Sequence, residues 1–133
     1  MESLTLPKIL IVDDEPELVE VLTLALKQDY KITSFQSAHD ICRKVEFVKP
    51  DLILMDVILH AYNGIAASKE LKINKATWDI PVLLMTARSN TKGFIEDARA
   101  EDLIKKPFNL ADLRNRIASM CKISQEKKYS TIH

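Results

Sequence analysis

Two apolar runs in this chain end in carboxylates. KILIV (8–12) is followed by Asp13 and Asp14, and DLILM (51–55) is followed by Asp56. Burying a charge among apolar side chains is unfavourable unless something pairs with it. Two further runs end in groups of complementary type: IPVLLM (80–85) leads into the hydroxyl of Thr86, and DLIKK (102–106) closes on Lys106, directly before Pro107. Three carboxylates brought to about 5 Å repel by roughly 3 kcal/mol per pair at an effective dielectric near 20. A hard cation offsets that repulsion, and an all-oxygen site with room for water suits Mg²⁺. Carboxylates also act as nucleophiles that form aspartyl phosphates. Phosphoryl transfer then needs cations and hydrogen-bond donors around the equatorial oxygens, which Lys106 and Thr86 supply.

For this chemistry the five residues must meet in space. The short apolar runs, with YKITS (30–34) as a fifth, alternate with stretches of helical periodicity. Three runs are continuously apolar over four or five residues, as strands buried on both faces are. Pro16 suits a first helical turn, with Leu18, Leu22, Ala25 and Leu26 on one face. Ser37 and Asp40 resemble a capping box ahead of Ile41, Val45 and Val48. A polar helix is expected over about Asn63–Lys75, and a weak one over Asn90–Arg99, where an interior Gly93 costs about 1 kcal/mol relative to alanine. Asn109 caps a last helix with Leu110, Leu113, Ile117 and Met120 at helical spacing. Five strands alternating with five helices predict an α/β, flavodoxin-like, doubly wound (βα)5 fold. Its five-stranded parallel sheet has order 2-1-3-4-5. In such sheets the working crevice opens at the carboxyl ends of the strands, at the switch point between strands 1 and 3. That is where Asp13, Asp14 and Asp56 end their runs.

Composition narrows the alternatives. Nineteen basic and nineteen acidic residues cancel over 133 positions, so no net charge draws the chain to nucleic acid or a membrane surface. No apolar run reaches the roughly 20 residues that span a bilayer, and MESLTLPK lacks the build of a secretory signal; a cytoplasmic protein is expected. Cys42 and Cys121 read as core-lining thiols rather than a disulfide. There are two glycines, Gly64 and Gly93, far apart, so neither a dinucleotide fingerprint nor a P-loop can be assembled. Residues 1–123 read as one domain and 124–133 (SQEKKYSTIH) as a polar, frayed tail. His39 and His133 read as surface residues, and Asp51 as a loop or strand-start acid rather than a second phosphoacceptor.

The combination of IVDDEP (11–16), PDLILMDVIL with Gly64 eight residues beyond Asp56, PVLLMTA (81–87) and KPF (106–108) resembles the receiver domain of two-component response regulators. Each motif alone is weak; four in family order from about Lys8 to Cys121 are specific. The resemblance implies that Asp56 accepts a phosphoryl group from the phosphohistidine of a sensor histidine kinase, or from a small phosphodonor. It implies that Asp14 and Asp56 bind Mg²⁺ directly, with Asp13 acting through water and the Ile58 carbonyl as a further ligand. Lys106 would pair with the phosphoryl oxygens, Thr86 would move to bond one of them, and Lys106–Pro107 would be cis. A helix-start role for Asp13 and Asp14, where acids suit the dipole, is the purely structural alternative.

The chain departs from the family at several points. His60 replaces the usual proline four residues after the phosphoacceptor. Arg99 replaces a common glycine, so the turn into the fifth strand is expected to avoid a glycine-only conformation. Leu103 stands where an inward-turning aromatic is common, which moves the expected signal path to the loop after the fourth strand and the Gly93 helix. Ile58 and Arg88 flank the path of a hydrolytic water, so a long-lived phosphoryl-Asp is expected. The resulting expectation is a stand-alone receiver, monomeric or weakly dimeric, read by a protein partner through the fourth helix, fifth strand and fifth helix. It is not expected to bind nucleic acid directly or a membrane. The alternatives are a phosphorelay intermediate passing the group to a histidine phosphotransfer protein, a fragment of a larger regulator, a phosphorylation-independent scaffold, and an aspartyl-phosphate hydrolase. The last needs an acid two residues after its nucleophile, and that residue is Ile58.

Overall fold

The computed structural model describes residues 5–59 and 61–132. Ten elements alternate along the chain: β1 (Lys8–Val12), α1 (Pro16–Leu26), β2 (Lys31–Phe35), α2 (Ile41–Val48), β3 (Leu52–Asp56), α3 (Gly64–Ile73), β4 (Val82–Thr86), α4 (Phe94–Ala98), β5 (Asp102–Lys105) and α5 (Leu110–Ile132). All strand pairings are parallel and the order is β2-β1-β3-β4-β5, as the sequence predicts.

The continuously apolar runs are explained by two cores, one on each side of the sheet. Leu10, Val12, Ile53, Met55, Val82 and Leu84 point toward α2, α3 and α4. Their alternating neighbours Ile9, Ile11, Leu52, Leu54, Leu83 and Met85 pack with Leu22, Leu26, Leu113 and Ile117 of α1 and α5. Every residue of β3 and β4 is buried. Because successive strand side chains face opposite ways, a strand covered on both sides has no position to give to a polar residue except its end.

Local signals hold at some helix termini and fail at others. Pro16 occupies the first turn of α1. The Asn63 side chain accepts from Ile65 N at 2.8 Å to cap α3, and Asn109 accepts from Ala111 N at 2.7 Å at the start of α5. The capping box ahead of α2 does not form. Ser37 Oγ instead accepts from His39 N at 3.0 Å, and Asp40, at the N-cap, is left-handed with no capping bond from its side chain. Gly93 is not inside a helix: it precedes the five-residue α4 at φ 83°, a conformation glycine adopts without strain. Arg99, expected to avoid the left-handed region, sits in it at φ 54°, ψ 34°. The turn into β5 keeps its geometry and an arginine tolerates it. Helix α5 runs through Ile132, so residues 124–132 of the stretch expected as a frayed tail are helical. Cys42 packs against the core under α2, α3 and α4, and Cys121 is buried in the core under α1 and α5. His39 is exposed, while His60 and His133 lie outside the described residues.

Candidate functional site

Backbone ladders bring the strand ends to one edge. Asp13 N donates to Phe35 O at 3.1 Å, Val57 N to Met85 O at 2.9 Å and Lys106 N to Thr86 O at 2.7 Å. Asp13, Asp56, Thr86 and Lys106 therefore sit at the carboxyl ends of β1, β3, β4 and β5, across the β1–β3 switch point. Asp13 and Thr86 are 0% exposed and Asp56 is 5% exposed.

Lys106 is the hub. Its Nζ donates to Asp56 Oδ2 at 2.9 Å, to Glu15 Oε1 at 3.0 Å and to Asp13 Oδ2 at 3.1 Å. Burial alone would lower the lysine pKa, but the hydrogen bonds to Asp56, Glu15 and Asp13 outweigh it and hold the ammonium protonated well above the ordinary lysine range. Asp13 moves the other way from a normal ion-paired acid. Burial raises its pKa, and the nearby Asp56 adds to this, more than Glu15 N and Lys106 lower it. The charged form of Asp13 is thus held at a cost, as one ammonium among three carboxylates would produce.

The loop after β3 is a tight turn. Leu59 N donates to Tyr62 O at 3.2 Å and Gly64 N to Val57 O at 2.8 Å, which sets Ile58 opposite Asn63. Ile58 is half exposed, and its own N–H turns back to Asp56 Oδ1 at 3.1 Å. Gly64 is where the chain passes the end of β3: a Cβ there would lie 1.9 Å from the Asp56 carbonyl oxygen. On the other side, Thr86 Oγ1 accepts from Arg88 N at 3.1 Å. Lys105 Nζ ties the following loop by donating to Ser89 O at 3.0 Å. Lys106–Pro107 is cis.

One acid in this cluster was not anticipated. Carboxylate oxygens of Asp13, Glu15 and Asp56 all lie within 4.8 Å of one another. Asp14, expected to be a direct metal ligand, is half-buried at the end of β1 and outside that trio. Glu15 was visible as the third acid of DDE, but nothing in the spacing marks it. It is brought in by a local turn in which Asp13 Oδ1 accepts from Glu15 N at 2.9 Å. Together with Asp14 these acids carry more negative charge than Lys106 neutralises, an excess that a hard divalent cation bound among the strand-end carboxylates would offset.

The model of the response regulator receiver domain family matches residues 9–118. The chain is 32% identical over 128 residues to the transcriptional regulatory protein KdpE of Staphylococcus aureus, covering 94% of this chain and 54% of that protein. It is 33% identical over 115 residues to the phosphate regulon transcriptional regulatory protein PhoB of Pseudomonas aeruginosa, covering 84% and 50%. The chain thus spans about half the length of the curated relatives it matches. Among solved structures it is similar to the receiver domain of the sensor histidine kinase PA1611 from Pseudomonas aeruginosa. That match has a TM-score of 0.80 at 25% identity and covers 89% of this chain and 99% of the other, whose active-site cleft holds a magnesium ion.

Proposed function

The chain belongs to the family of response regulator receiver domains, phosphoacceptors of two-component signalling, and on that premise we propose that Asp56 is its phosphoacceptor. The observation that carries this reading is Lys106 Nζ, 2.9 Å from the Asp56 carboxylate at a strand-end edge lined by further acids and a hydroxyl. The donor is the phosphohistidine of a sensor histidine kinase or a small acyl phosphate. An Asp56 carboxylate oxygen attacks phosphorus, the bond to the donor nitrogen or oxygen breaks, and the leaving group departs with the electron pair. Lys106 pairs with the negative charge on the equatorial oxygens of the transferring phosphoryl group, and Thr86 donates its hydroxyl to one of them. Asp14 and Asp56, with Asp13 through water and the Ile58 carbonyl, are the residues that would hold Mg²⁺. When bound, the ion neutralises charge on the transferring group. Intact mass after incubation with acetyl phosphate and Mg²⁺ tests the reading; no gain of mass with that donor or with histidine kinases would contradict it.

Phosphorylation adds about 1.5–2 negative charges, by analogy with phosphorylated hydroxyls, and this biases a protein-binding surface on α4, β5 and α5. The route runs through the loop after β4. To donate to a phosphoryl oxygen, Thr86 must turn its hydroxyl, and that hydroxyl now holds Arg88 N. Leu103 is half-buried against the core beside α4 and has no ring to rotate. Amide shifts of Phe94 and Ile95 should therefore change on phosphorylation; unchanged Phe94 and Ile95 signals in a fully phosphorylated sample would exclude this path.

Ile58, apolar and half exposed beside Asp56, offers no hydrogen bond to a water approaching in line, and the long Arg88 follows Thr86 on the loop after β4. We expect Ile58→Asn to shorten the phosphoryl-Asp lifetime by roughly tenfold, equivalent to about 1.4 kcal/mol of barrier. A decay rate measured by intact mass that matches wild type would refute the obstruction.

A further inference from the structure

Lys106 carries three ammonium N–H donors, and in this structure three acids take them: Asp56 at 2.9 Å, Glu15 at 3.0 Å and Asp13 at 3.1 Å. No donor is left over for a phosphoryl oxygen. One of the three acids must leave before Lys106 can engage an incoming group, and the acids are not equal. Asp13 and Asp56 are rooted at strand ends with side chains 0% and 8% exposed, whereas the Glu15 side chain is 61% exposed. Glu15 also has no competing structural duty: it is the N-cap residue of α1 but makes no side-chain capping bond. Its backbone is fixed by the bond from its N–H to Asp13 Oδ1, so its carboxylate can swing without disturbing the helix start.

We propose that Glu15 is a resting-state counter-ion, a positioning residue that occupies Lys106 until a phosphoryl group displaces it. This rests on Asp56 being the phosphoacceptor. A phosphoryl oxygen and the Glu15 carboxylate compete for the same ammonium donor, and they repel each other, so the resting contact slows phosphoryl uptake and is lost in the phosphorylated state. Water takes over Glu15 when it leaves, which its exposure allows. Asp13 and Asp56 have no such exit.

The test compares wild type, Glu15→Gln and Glu17→Gln. Glu17, in the first turn of α1, removes the same charge from the same helix end without contacting Lys106. The uptake rate from acetyl phosphate at saturating Mg²⁺, followed by intact mass, should rise roughly threefold to fivefold in Glu15→Gln, the effect of one partly screened ion pair. It should stay near wild type in Glu17→Gln. In the metal-free protein the Lys106 ammonium resonance should shift in Glu15→Gln and not in Glu17→Gln. Equal rates in all three proteins, or equal acceleration by both variants, would overturn the proposal. So would a slower Glu15→Gln whose half-maximal Mg²⁺ concentration rises tenfold, since Glu15 would then serve the metal. A wild-type chain that takes up no phosphoryl group from any donor overturns the phosphoacceptor reading itself, and this one with it.

Discussion

Replacing Gly64 by alanine should lower stability by about 3 kcal/mol, the upper end for an overpacked site, which for a domain of this size is a fall in Tm of roughly 10 °C. The added Cβ would meet the Asp56 carbonyl oxygen at 1.9 Å, the Asp56 carbonyl carbon at 2.9 Å and Val57 Cα at 3.0 Å. All three are backbone atoms of the strand end that presents Asp56, the proposed phosphoacceptor, so no side chain can rotate to make room. Either α3 or the end of β3 must shift, and a shift of about 1 Å at a reacting group costs on the order of 10²-fold in rate. Gly93 provides the contrast. A Cβ there has open space, its nearest neighbour being Asp97 Oδ2 at 3.8 Å, but φ is +83°. Gly93→Ala should therefore cost only about 1 kcal/mol, through backbone strain, and should leave phosphoryl uptake near normal. Thermal melts of the two variants check both statements; a Gly64→Ala protein melting within 2 °C of wild type would contradict the close approach.

The second large effect is at Lys106. Lys106→Met keeps the length of the side chain but leaves Asp13, Asp56 and Glu15 without their shared cation. Removing one partner of a buried ion pair typically costs about 3 kcal/mol or more, and that loss is expected at pH 7 in urea unfolding with an unchanged slope. The pH dependence follows from the shifts. The lysine is raised above its ordinary range, so its stabilisation is complete at neutral pH and is lost only when the pH rises through the raised value. On the acid side the difference between variant and wild type should shrink. Asp13, whose pKa burial has already raised, takes up a proton before an ordinary aspartate would, and a neutral Asp13 no longer needs the lysine. Phosphoryl uptake should fall by roughly 10²-fold, the size of effect seen when one preorganised charge-stabilising donor is lost. Equal stability of variant and wild type across pH 5–8 would show that Lys106 does not balance these acids.

Much of this arrangement can be read from the sequence, for a physical reason. Strands buried on both faces must be apolar throughout, so a polar residue at a strand end stands out, and Asp13, Asp56, Thr86 and Lys106 all do. Parallel topology then puts the carboxyl ends of the strands on one edge, which brings the four together. Features that depend on local turns are less visible. Glu15 reaches Lys106 because Asp13 Oδ1 accepts from Glu15 N, a two-residue bond with no periodic signature. Ser37 bonds His39 N instead of capping α2, since a short polar side chain has several nearby backbone partners to choose from. Arg99 adopts the conformation expected of a glycine because the chain on both sides fixes the turn, and the strain at one residue is small against the packing of α4 and β5. The continuation of α5 through residues 124–132 is hidden by polarity, although Gln125, Glu126, Lys127 and Lys128 are all good helix formers.

The most direct test is the intact mass of wild-type and Asp56→Asn protein after incubation with acetyl phosphate, each with Mg²⁺ and with EDTA. The expected result is the gain of one phosphoryl group by wild type in Mg²⁺, and none by wild type in EDTA or by Asp56→Asn in either. Equal gain by the variant would place the phosphoryl group on another residue and contradict the assignment of Asp56.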